Sequence, residues 1–153
     1  MSDRTLRAWA YLSRVAEPPC AELAALVRQV GPVEASDRVR RGQVDDTLAR
    51  QTEARREIDR AAADLDLLAR RGGRLITADD DEWPVLAMTG FGSDATAAKP
   101  GGRPPLALWA LGPERLDETA QRAAAVVGTR AATAYGKAAA AGIHSRAVSA
   151  AAA

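Results

Sequence analysis

The sequence predicts an α+β or α/β fold in two parts: a helical first half, then strands alternating with short helices from residue 74 onward. Apolar residues recur at helical spacing between Leu6 and Leu68, and Gly72-Gly73 then breaks the pattern. Downstream, the apolar runs shorten to strand length between Gly, Pro and acidic turns. The expected domains are 1–73, helical, and 74–153, with a long loop at 89–105 and a divergent tail at 138–153.

Leu6, Trp9, Leu12 and Ala16 form the stripe of a first helix, capped by Ser2 or Asp3 and stopped at Pro18-Pro19. Leu23, Leu26, Val27 and Val30 form a second, which Gly31-Pro32 ends. A short third helix carries Val33 and Val39 as far as Gly42. The longest helix is expected from Asp45 to Arg71, with Leu48, Ile58, Ala62, Leu65 and Leu68 on its apolar side. Along it, Arg55 with Asp59, Arg60 with Asp64, and Asp66 with Arg70 stand four apart and read as a solvated face.

Arg74 to Thr77 reads as a strand, Ala78 to Glu82 as an acidic turn, and Trp83 to Met88 as a short helix. Asp79, Asp80 and Asp81 are candidate cation ligands, but consecutive carboxylates without EF-hand spacing or a histidine read better as a turn and helix cap. Leu106 to Leu111 is a second strand, Glu114 to Gln121 a short helix, and Ala123 to Val127 a third, parallel strand. Trp83 and Trp109 are expected to anchor the core rather than stack on bases.

The candidate site lies where that third strand ends. Gly128 lets the backbone turn and a ligand approach, Arg130 supplies a permanently charged fork, and Thr133 caps a helix beginning near Ala134. Unpaired N–H groups at the helix start, together with the guanidinium, suit a phosphate. An ordinary strand-to-helix turn with a solvated arginine fits the same residues. Neither G-x-G-x-x-G nor G-x-x-x-x-G-K-[ST] occurs in this segment.

Composition narrows the class. A chain of 153 residues with 47% hydrophobic content can bury one modest core or two small ones, and a net charge of +1 does not by itself indicate a polyanion partner. Cys20 is the only cysteine, which excludes an internal disulfide and a multi-cysteine zinc site. No apolar core of signal-peptide length follows Arg4 and Arg7, and no run is long enough to cross a bilayer. A cytoplasmic location is the simplest expectation, with no membrane partner, cofactor or metal.

Val126 to Gly136, VVGTRAATAYG, resembles the V-G-[ST]-R-x-x-[ST]-x-Y-G motif of the DNA-processing protein A (DprA/Smf) family. Two upstream segments agree in order. Leu75-Ile76-Thr77 with Asp80 and Trp83-Pro84 is similar to the family's L-[IL]-T-x-x-D-x-x-[YW]-P, and Pro104-Pro105 with Leu108-Trp109 and Gly112 to its P-P-x-x-L-[FWY]-x-x-G. The resemblance covers about Ala8 to Gly136. It implies a sterile-alpha-motif-like (SAM-like, helix-hairpin-helix-like) N-terminal domain and the first part of an extended Rossmann-like domain.

By the same resemblance the chain would bind and protect single-stranded DNA and load the RecA recombinase in natural transformation, without being an enzyme. Full-length relatives would form homodimers. Gly128, Thr129 and Arg130 would contact a DNA phosphate, while Thr133, Tyr135 and Gly136 would shape the turn. The sequence departs from the family's pattern twice. Ala16-Glu17-Pro18-Pro19-Cys20 replaces a G-[IV]-G-type turn, so DNA binding is not assigned to that hairpin; a packing or partner-contact role suits it better. Cys20 there reads as a structural residue, although a helix start could lower its pKa. Beyond Lys137 the family's second glycine motif, S-G-x-A-x-G-I-D, is missing, and a frameshifted or truncated gene product, with DNA binding weakened or lost, is the expectation. His144 in that tail reads as a surface residue. Two other classes stay open: a Rossmann-like enzyme acting on nucleoside monophosphates, whose usual P-G-G-x-G-T segment is absent, and a helical interaction fragment.

Overall fold

A computed structural model describes residues 1–91, 102–123 and 133–151, with side chains described as far as residue 142. The described chain is α+β: seven helices and one antiparallel pair of strands. Two compact units are present, Met1–Gln121 and Arg122–Ala153.

The first unit begins with α1 (Asp3–Val15), whose N-cap Ser2 accepts a hydrogen bond from the Thr5 amide at 3.2 Å. Helix α2 (Ala21–Arg41) is kinked at Gly31, where φ is +80° and only glycine sits without strain, and Pro32 beside it has no N–H to donate. The expected second and third helices are its two halves. Gly42 closes it in the left-handed region. Trp9, Leu12 and Val15 of α1 meet Leu23, Val27, Ala35 and Val39 of α2 in one buried cluster. Cys20 is half-buried at the start of α2, where burial raises its thiol pKa and outweighs the lowering by the Leu23 and Glu22 amides of the helix start.

The expected long helix from Asp45 to Arg71 is two helices, α3 (Asp46–Thr52) and α4 (Ala61–Arg70). Its apolar spacing lapses between Leu48 and Ile58, and Ile58 is 56% exposed rather than on the inner stripe. Tertiary contacts hold the break open. Tyr11 donates its hydroxyl proton to the Arg56 carbonyl at 2.8 Å, and the Asp59 carboxylate accepts from the Ala61 amide at 3.1 Å, starting α4. The charges expected to pair along one helix instead join elements: Arg55 with Glu17, Arg40 with Asp59, and Arg14 with Asp64.

Strands β1 (Gly73–Thr77) and β2 (Ala107–Leu111) pair antiparallel, in a register running from Gly73 opposite Leu111 to Thr77 opposite Ala107. The parallel sheet expected downstream is not what these two strands form. The strand expected at Ala123 to Val127 falls mostly outside the described residues, as does much of the 89–105 loop. Leu75 and Ala107 belong to the same buried cluster as α1, α2, α3 and α4, so packing crosses the expected boundary at Gly73.

Between the strands lie α5 (Val85–Met88) and, after β2, α6 (Leu116–Ala120). One Asp80 carboxylate oxygen accepts from both the amide and the hydroxyl of the buried Thr77, each at 2.8 Å, and closes the acidic turn. This use of Asp80 explains the T-x-x-D spacing without a metal. Among the described residues no three carboxylate, imidazole or thiol groups are placed to hold an ion. Trp83 is buried as expected; Trp109 is 36% exposed, and its indole N–H reaches the Ser13 hydroxyl at 3.2 Å.

Arg74 ties this region together. Its guanidinium donates to the Glu82 carboxylate, including one bond at 2.8 Å, and to the carbonyls of Gly112 and Glu114 at 2.6 Å each. The bond from Arg74 holds the Glu82 carboxyl below its ordinary pKa. Because the folded-state value is the lower one, this stabilisation is complete above the unfolded value of about 4.3 and is lost as pH falls through the folded one. Melting temperatures from pH 7 to 3 should therefore fall more steeply for the parent chain than for Glu82→Gln, the two converging in acid. Parallel curves would refute the linkage.

The second unit carries α7 (Ala134–Ala151). The tail expected to diverge from residue 138 is helical backbone as far as Ala151.

Candidate nucleic-acid interface

Gly128, Thr129 and Arg130, the expected phosphate contacts, lie outside the described residues. Thr133, Tyr135 and Gly136, expected to shape the turn, are described and form the start of α7. The Thr133 hydroxyl accepts from the Gly136 amide at 3.2 Å, and its carbonyl accepts from the Lys137 amide at 3.0 Å. This is the N-cap geometry that a threonine before an apolar helix predicts, and it orders the first turn of α7.

The electrostatics of that turn suit an anion. No acidic residue occupies it, and the exposed Lys137 stands one residue beyond Gly136. The amides of Ala134 and Tyr135 have no preceding helical carbonyl, so the positive end of the helix dipole lies here. Tyr135 is 83% exposed, which leaves a full aromatic face beside the turn. Neither Trp83, buried, nor Trp109, held through its indole nitrogen by Ser13, offers a comparable face.

A second concentration of cations went unread in the sequence. Arg4 and Arg7 of α1, Arg40 of α2 and Arg60 before α4 line one open groove of about 620 Å³. Only folding brings them together, because they come from three helices spread over more than fifty positions. The one local trace is the three-residue spacing of Arg4 and Arg7.

Comparison with known proteins gives consistent results. Residues 74–152 match the family model described as DNA recombination-mediator protein A, and this match runs past Lys137, where the sequence resemblance was expected to end. Two proteins from two strains of Mycobacterium tuberculosis, each provisionally named DNA processing protein DprA, are 75% identical over 137 residues. The alignment covers 90% of this chain and 35% of each relative, so the chain spans about a third of their length. No solved structure matches the chain.

Proposed function

Because the chain belongs to the DNA recombination-mediator protein A family, we propose that it contacts single-stranded DNA through phosphates seated at the start of α7. Gly128 permits close approach of the backbone, Thr129 donates an N–H or hydroxyl, and Arg130 supplies the charge. The observation that carries this reading is the Thr133-capped first turn of α7, free of acidic residues and separated in sequence from Gly128-Thr129-Arg130 only by Ala131 and Ala132. Tyr135 adds an exposed ring on which a base stacks.

The reading extends to the family's wider role: protecting incoming strands and loading the RecA recombinase during natural transformation, with full-length relatives acting as homodimers in the cytoplasm. It assigns no catalytic step and no cofactor. No described helix is long and apolar enough to cross a membrane.

Titration of a fluorescent oligothymidylate by anisotropy, at two salt concentrations, tests the proposal. Affinity should fall with salt at a log–log slope of roughly −0.7 per neutralised phosphate. Arg130→Ala should weaken binding about tenfold, the scale of one charge-assisted phosphate contact. Unchanged affinity in that variant overturns the site, and turnover of a nucleoside monophosphate by the parent chain would assign it to an enzyme instead.

A further inference from the structure

The groove between α1, the second half of α2 and the start of α4 carries four guanidiniums, from Arg4, Arg7, Arg40 and Arg60, against two carboxylates, Asp37 and Asp59. The four are held differently. Arg40 is fixed: its guanidinium stacks on the Tyr11 ring at 4.0 Å from the centroid, donates to Asp59 at 2.8 Å and lies 3.3 Å from the Ser36 hydroxyl. It forms a rigid cationic wall whose own charge the two aspartates already balance, with Asp37 at 3.8 Å.

The other three are available. Arg4 reaches Asp37 at 3.1 Å with three-quarters of its side chain in solvent, and Arg7 reaches Asp3 within its own helix at 3.1 Å with more than half exposed. Exposed pairs of this kind contribute little and are readily exchanged for a stronger anion. Arg60 has no carboxylate partner among the described residues and is exposed. The small side chains of Ala61, Ala62 and Ala63 line the same groove and leave its floor open.

The geometry points to this groove as a second seat for the phosphodiester backbone of single-stranded DNA, on the helical half of the chain and built from residues other than those of the Gly-Thr-Arg turn. An open groove with exposed guanidiniums along it suits a linear polyanion, whose fixed charges displace the weak surface pairs and release counterions. The inference rests on the DNA-binding reading above for its choice of polyanion; its residues are independent of that site. It also lies away from the Pro18-Pro19 turn, at the opposite end of α1, which agrees with the unsuitability of that turn for a phosphate.

The test compares the full chain with Arg7→Glu/Arg60→Glu, Arg7→Lys/Arg60→Lys and Arg130→Ala, by anisotropy on the same labelled oligothymidylate over a salt series. Circular dichroism and melting temperature identify any variant that fails to fold; if the glutamate pair does, Arg7→Gln/Arg60→Gln replaces it, with a loss of affinity and of salt slope expected in the same direction. The glutamate pair should weaken binding about tenfold at low salt and flatten the salt slope by roughly 0.7 for each phosphate contact removed. The lysine pair keeps its charge and should bind within about threefold of the parent, with an unchanged slope. Parent-like affinity and slope in the glutamate pair overturn the groove, as does complete loss of binding in Arg130→Ala alone, which leaves the turn site standing. Loss in the glutamate pair with parent-like binding in Arg130→Ala supports the groove and removes the turn site. A parent chain that binds no DNA overturns both. Calorimetric titration with inorganic pyrophosphate separates the remaining source: pyrophosphate bound through Arg7 and Arg60 without DNA binding would make the groove a free-phosphate site and overturn the DNA assignment.

Discussion

Replacing Leu12 with alanine is expected to lower the unfolding free energy by about 2–5 kcal/mol, measured by urea denaturation followed by circular dichroism. Leu12 is only 1% exposed and lies in the cluster where α1 meets α2, α3, α4 and both strands. Removing its branched end leaves a cavity whose walls belong to several elements, which cannot collapse around it together. Against a total stability of about 5–15 kcal/mol for a domain of this size, much of the folded population would be lost near physiological temperature. A change below about 1 kcal/mol would mean that the cluster is loosely packed.

Gly73→Val should cost about 2–3 kcal/mol, although valine favours strands elsewhere. A Cβ at this position would stand 2.7 Å from the Ala110 carbonyl oxygen and 2.8 Å from Leu111 Cδ2, and would overlap Leu68 Cδ1. The leucine termini can rotate away, but the carbonyl is backbone in the paired strand and cannot move without disturbing the ladder. The same substitution at Gly90 meets no atom within 4 Å and is the control. Equal melting temperatures for the two variants would contradict close packing between β1, β2 and α4.

Features written in local chemistry were readable in the sequence. Ser2 as a cap, the Gly31-Pro32 interruption, the Gly72 stop, both strands and the Thr133 cap depend on a few adjacent residues, and all appear where expected. The break between α3 and α4 was hidden because distant partners impose it: Tyr11 on Arg56, and Arg40 on Asp59. Local i,i+4 spacing favoured one continuous helix, and each such pair is worth only about 0.2–0.5 kcal/mol, less than the burial and hydrogen bonds opposing it. Strand direction was equally hidden, since Leu75-Ile76 and Leu108-Trp109 pack in either sense and the linking segment carries no direction of its own. At the site, the cap of α7 was legible from Thr133. The arginine groove was not, because no short window contains Arg7 and Arg60 together.

The bond from the Trp109 indole to Ser13 joins residues 96 positions apart. Its consequence concerns the order in which the chain leaves the ribosome. Helix α1 emerges well before Ala107, which belongs to the same buried cluster as Trp9 and Leu12. Contacts of such long range close late. During synthesis the apolar side of α1 is therefore covered in two stages, first by α2 and the helices that follow it, then by the returning strand.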